Sequence, residues 1–226
     1  MNKNLFNHDK FNTWQTCRKK FYYKYIKELE LPEFHKDYEL GTSLHALIDY
    51  KLRDLNTEIL IQNADKEISD RWNIIKNHPI INKKVIKTEW SFNTLIPNTD
   101  CWMIGRIDAI FYDEETKKFI IADWKTGKFV PKKIDSNFQH KIYLYALYQS
   151  KKDLGIDFQP EDLNFQYFNI TTEGIEITKI DFSQEKLAEY ESNFVRIIKN
   201  IKTESEFQKD EICSASNCSY KHLCKS

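Results

Sequence analysis

The chain has 226 residues, with 34 Lys and Arg against 34 Asp and Glu, so its formal net charge is zero. Hydrophobic residues make up 41% and charged residues 30%, which excludes a disordered chain and fits one folded domain with an ordinary core. Zero net charge excludes global attraction to a polyanion, so a nucleic-acid partner has to be drawn by a local patch.

Residues 8–30 read as helical and carry an aromatic and basic stretch, Arg18-Lys19-Lys20-Phe21-Tyr22-Tyr23-Lys24-Tyr25, with Pro32 as the stop. Residues 40–56 repeat apolar positions at helical spacing through Leu44, Leu47, Ile48, Leu52 and Leu55. A further helix is expected over 64–77. From about residue 84 the period shortens toward two. Lys84–Ile96 and Cys101–Tyr112 flank the turn Pro97-Asn98-Thr99-Asp100 and read as a hairpin. Lys118–Trp124 is a short apolar run before Thr126-Gly127, the pattern of a buried central strand. Residues 134–151 return to helical spacing. Leu163–Ile170 and Gly174–Ile180 flank Thr171-Thr172-Glu173 as a second hairpin, 183–203 form an amphipathic helix, and the tail 210–226 reads as irregular.

This order predicts an α/β fold, with a central mixed β-sheet flanked by helices. The expected organisation is a single domain over 1–226: a helical part to residue 82, a core over 83–182, then the last helix and a Cys-rich tail. No apolar run approaches the ~20 residues of a membrane span. The polar N-terminus lacks the apolar centre of an export signal. An intracellular, cytoplasmic protein with no membrane partner is expected.

The chemistry concentrates on three segments. Side chains alternate along a strand, so Asp123 and Lys125 share one face and Trp124 takes the other. If the strand holding Gly105-Arg106-Ile107-Asp108 is adjacent, Asp108 joins Asp123. Two carboxylates at close range call for a neutralising charge, and a hard divalent cation, Mg²⁺ or Mn²⁺, supplies it. His45 and the backbone carbonyl of Trp124 are further candidate ligands. Lys125 is placed to stabilise charge on a reacting phosphoryl group. Gln139 and Tyr143, four apart on a helix, face the same way and are expected to orient phosphate or Lys125. Glu89 is read as a structural or supporting residue near this site.

In the order Gly105-x-x-Asp108, Asp123-x-Lys125, Gln139-x-x-x-Tyr143, the sequence resembles the PD-(D/E)XK nuclease superfamily. It is most similar to the RecB-like exonuclease branch, which includes the nuclease domains of RecB and AddB and stand-alone CRISPR-associated exonucleases. His45 in Gly41-Thr42-Ser43-Leu44-His45 and the Cys17-led basic and aromatic run match two further motifs of that branch. The resemblance implies a restriction-endonuclease-like fold and a metal-dependent deoxyribonuclease that degrades single-stranded DNA from its ends. It implies DNA as partner, and protein partners in repair, recombination or CRISPR adaptation. The alternative is a module that holds DNA ends within a larger complex with little cleavage of its own. The segment 18–25 either fills the core with its aromatics or grips DNA, with Arg18, Lys19, Lys20 and Tyr22 as candidate contacts.

The five cysteines, Cys17, Cys101, Cys213, Cys218 and Cys224, are an odd count without an export signal, which argues against a disulfide scaffold. Cys101 reads as a buried core thiol. The resemblance implies that Cys17, Cys213, Cys218 and Cys224 bind a [4Fe–4S] cluster, Zn²⁺ being the alternative for four thiolates. The step from Cys213 to Cys218 is longer than the branch pattern.

Overall fold

The computed structural model describes residues 4–31, 37–127, 131–208 and 218–224. A six-stranded mixed sheet lies at the centre. Its strands are β1 (Leu5–Phe6), β2 (Lys84–Leu95), β3 (Trp102–Asp113), β4 (Lys118–Lys125), β5 (Leu163–Ile170) and β6 (Ile175–Asp181). The helices are α1 (His8–Thr16), α2 (Arg18–Phe21), α3 (Asp37–Leu52), α4 (Glu58–Gln62), α5 (Lys66–Ile75), α6 (Phe138–Ser150) and α7 (Gln184–Thr203).

Both expected hairpins form: β2 pairs antiparallel with β3, and β5 with β6. β4 runs antiparallel to β3 and parallel to β5. It is central, and every residue from Phe119 to Trp124 is buried. Its near-continuous apolar run follows from that, since helices cover both faces of the sheet. One cluster joins α1, α6 and α7 to the sheet through Phe11, Trp14, Phe138, Leu144 and Phe194. The other joins α3 and α5 through Leu44, Leu47, Ile48, Trp72 and Ile75. Trp124 belongs to the second cluster, on the face opposite Asp123, as strand alternation requires.

The register shows where the sheet opens. β2 occupies one edge of β3 along its length, leaving the other edge to β1 and β4. β1 reaches only Trp102 and Met103, and β4 only Ala109 to Asp113. Residues 104–108 of β3 therefore have no strand on that edge among the described residues. β4 meanwhile continues along β5 as far as Lys125, paired with Asn169.

The expected helix over 8–30 is broken and shorter. Cys17 is extended (φ −163°, ψ 111°); its N–H closes α1 on the Thr13 carbonyl, and its Sγ accepts the Lys20 N–H to start α2. The run then widens to a π-helical turn over Tyr22–Ile26 and stops before Pro32, which lies outside the described residues. The helix expected over 40–56 ends at Leu52, because Asp54 takes a left-handed conformation (φ 53°) and turns the chain; Leu55 is consequently exposed. α4 and the two-residue β1 are too short to leave a periodic signal. Among the described residues, no helix is long and apolar enough to cross a membrane.

Candidate active site

Where β3 and β4 part, the Asp108 carboxylate takes over from the ladder: the Trp124 N–H donates to its Oδ2 at 2.9 Å. The partner layers both reach this point. From α3, His45 Nε2 lies 2.8 Å from the Trp124 carbonyl and Nδ1 lies 3.5 Å from Asp108 Oδ2. From α6, Gln139 Nε2 donates to Asp123 Oδ1 at 2.7 Å. The Lys125 ammonium sits 2.5 Å from the other oxygen of Asp123, with Nζ also 5.7 Å from the centre of the Tyr167 ring. Asp123 is thus held by two charge-assisted contacts while only 2% exposed.

The local sequence explains this arrangement. Asn137 caps α6 by accepting the Gln139 N–H, and Asn12 on α1 accepts the Phe138 N–H, so the helix start is fixed from two sides. Gly105 is required by close approach: a Cβ there would lie 2.6 Å from Phe92 Cζ and 3.2 Å from Tyr143 Cε1. Tyr143 packs edge-on against Phe92, with ring centres 5.7 Å apart, and its hydroxyl meets the Gln139 side chain. Arg71, buried on α5, donates to the carbonyls of Thr126 and Ile170 and so anchors the chain just after Lys125.

The electrostatics leave room for added positive charge. Burial first, and then the neighbouring Asp123 carboxylate, hold Asp108 well above the usual carboxylate range. Burial pushes His45 down despite the Trp124 carbonyl beside it, so its imidazole is neutral and can act as a ligand. His8, at the start of α1, is pushed down by burial and then by Lys125. The Tyr143 and Tyr167 phenols are pushed up, chiefly by burial and then by Asp123.

Among the described residues, His45, Glu89 and Asp108 form a group whose ligand atoms all lie within 4.8 Å of one another. One imidazole nitrogen and carboxylate oxygens are a donor set that Mg²⁺ or Mn²⁺ accepts. Beside them, a cleft of about 460 Å³ is lined by Gly41, Thr42, His45, Asp49, Glu89 and Arg106. The structure thus brings His45 and Asp108, both candidates from the sequence, to one place. Asp123 sits on the neighbouring strand, engaged by Gln139 and Lys125, and the Trp124 carbonyl is engaged by His45. Glu89, read from sequence as supporting, stands among the potential ligands. Its signal was a lone acid in a strand, which periodicity does not distinguish from a surface position.

The other candidates lie elsewhere. Arg18 pairs with Glu204 at 3.4 Å, and Lys19 lies over the Tyr22 and Tyr23 rings at 5.7 and 5.5 Å. The Lys20 backbone serves the Cys17 cap. Cys17 and Cys101 are buried, whereas Cys218 and Cys224 are half-buried. Cys213 falls outside the described residues. The segment holding Cys218 and Cys224 is docked on the chain that follows α2, since Tyr23 donates to the Leu223 carbonyl at 2.7 Å and Tyr220 to the Leu29 carbonyl at 2.8 Å.

A solved structure described as "Crystal structure of SSO0001" superposes with a TM-score of 0.54 at 18% identity, covering 100% of this chain and 87% of that one. At that identity the likeness concerns the fold alone. No curated protein matches the chain. The family comparison matches residues 6–225 to the PD-(D/E)XK nuclease superfamily, whose nucleases use divalent metals. The sheet, its opening at Asp108 and a match over nearly the whole length agree, and the chain belongs to the PD-(D/E)XK nuclease superfamily.

Proposed function

We propose that this protein is a metal-dependent deoxyribonuclease of the RecB-like exonuclease branch, hydrolysing phosphodiester bonds of single-stranded DNA from an end. The observation that carries the reading is the Lys125–Asp123 contact of 2.5 Å at the end of β4, one strand from Asp108 and under Gln139. His45, Asp108, Asp123 and the Trp124 carbonyl are the residues assigned to hold Mg²⁺ or Mn²⁺. A bound divalent cation supplies Lewis acidity and an activated water.

This chain's own residues do the rest. The Asp123 carboxylate keeps the Lys125 ammonium at the sheet opening, where it stabilises negative charge developing on the phosphoryl oxygens. Gln139 fixes one Asp123 oxygen, which leaves the other to Lys125. Tyr143 closes the apolar side of the site and keeps Gln139 in place. The neutral His45 fixes the Trp124 backbone and offers its second nitrogen toward Asp108. Arg18, Lys19, Lys20 and Tyr22 are assigned to the approaching strand, where stacking on an aromatic is tolerant of sequence.

Cys17, Cys213, Cys218 and Cys224 are assigned to a structural [4Fe–4S] cluster. The docking of the Cys218–Cys224 segment by Tyr23 and Tyr220 supports bringing the two chain ends together. Repair, recombination and CRISPR adaptation are the processes in which such an end-processing enzyme would act.

Assays with linear single strands blocked at the 5′ or 3′ end, and with covalently closed circles, test the exonuclease reading. Loss of cleavage on blocking one end supports it. Cutting of circles makes the protein an endonuclease, and binding without cutting makes it an end-holding module.

A further inference from the structure

Glu89 sits in an unusual place. It lies inside β2 between Thr88, paired with Ala109, and Trp90, paired with Ile107, and so stands opposite Asp108. Its backbone is left-handed (φ 46°), a conformation a non-glycine residue rarely holds within a strand. The register has already shifted at the bulge between Val85 and Lys87. In this position the Glu89 carboxylate lies within 4.8 Å of ligand atoms of both His45 and Asp108. On its other side Glu89 Oε2 meets Arg106 Nε at 2.8 Å, and the Arg106 side chain is 63% exposed toward the cleft.

We propose that Glu89 is a direct ligand of the divalent cation, and that Arg106 is its counter-ion in the metal-free protein, competing with the cation for the same carboxylate. The inference rests on the metal-centre reading above and adds a ligand to it. Three carboxylates, Glu89, Asp108 and Asp123, converge on two side-chain cations, Lys125 and Arg106, of which Lys125 is already committed to Asp123. Like charges this close need a further positive charge to stay ionised together. Arg106 is mostly solvated and holds Glu89 weakly, so a divalent ion can displace it.

The test is Mn²⁺ affinity, read by the loss of the free-ion electron paramagnetic resonance signal on titration, without DNA and without turnover. Glu89→Gln should weaken binding about tenfold or more. Arg106→Gln should tighten it severalfold, and the double variant should behave as Glu89→Gln alone. Wild-type affinity in Glu89→Gln overturns the ligand assignment, and weaker binding in Arg106→Gln overturns the counter-ion role. Asp108→Asn and His45→Ala separate this from the parent reading: if they also bind as wild type, the metal centre itself is misplaced. Thermal unfolding in metal-free buffer checks folding. Where Glu89→Gln is unfolded, Glu89→Gly, which suits the left-handed backbone, takes its place with the same expected loss.

Discussion

The Trp124 N–H donates to Asp108 Oδ2 at 2.9 Å, so a side chain of β3 stands where a backbone ladder would otherwise run. The sheet opens at this contact, and the opening exposes both the end of β4 and the flank of His45. A structural hydrogen bond and a proposed ligand are thus carried by one carboxylate, and substitution can separate them. Asp108→Asn retains a carbonyl oxygen to accept the Trp124 N–H; Asp108→Leu does not. Chemical denaturation should find Asp108→Leu about 1–3 kcal/mol less stable than Asp108→Asn, the cost of a buried donor left without an acceptor. Both variants should lose Mn²⁺-dependent cleavage.

Gly105→Ala should destabilise the protein by about 1–3 kcal/mol, the usual result of overpacking. The added Cβ would meet the Phe92 and Tyr143 rings, at 2.6 and 3.2 Å. Phe92→Leu in the same chain should recover much of the loss, and urea midpoints check both expectations.

His140 is 2% exposed on α6, beside the Tyr167 hydroxyl at 3.5 Å, and burial pushes its pKa down to about 3. The unfolded chain titrates near the ordinary 6.5. Above that value both states are neutral and its contribution to stability is intact. As pH falls the unfolded state takes up a proton that the folded state refuses. Stability therefore drops by about 1.4 kcal/mol per pH unit from near 6.5 down toward about 3. Denaturation of wild type and His140→Gln across that range should give a steeper acid-side decline for wild type and parallel curves above pH 7.

Cys17 sits at the α1–α2 junction, and the described tail docks against the segment that follows it. If a cluster ties residue 17 to the chain's end, closing a loop of about 200 residues is worth roughly 5 kcal/mol on chain-entropy reasoning. Cys17→Ala should then lower the unfolding temperature of the whole chain and abolish bound iron after anaerobic purification, while Cys101→Ala keeps the iron. Bound zinc in place of iron would reassign the four thiolates. Unchanged unfolding of Cys17→Ala would remove the structural role.

The hairpins and the central strand were legible because turn residues and period-two alternation coincide at Pro97–Asp100 and Thr171–Glu173. Leu44, Leu47 and Ile48 likewise announced the buried face of α3, and His45 came with them. Alternation alone separated Asp123 and Lys125 from Trp124. The break at Cys17 was hidden because the run on either side keeps helical spacing, and a thiol is an uncommon helix cap. The role of Glu89 was hidden for a different reason: nothing in the residues around it announces a left-handed backbone within a strand. Arg71 and His140 are tertiary features, since their partners lie 99 and 27 residues away in sequence.

The most direct test of the account is end-labelled single-stranded DNA with Mn²⁺, comparing wild type with Asp123→Asn and Lys125→Ala. The expected result is stepwise loss of nucleotides by wild type and a rate reduced by at least about 10²-fold in each variant, with unfolding temperatures close to wild type. Cleavage by Lys125→Ala at the wild-type rate, or DNA binding by wild type with no cleavage under any divalent cation, would contradict it.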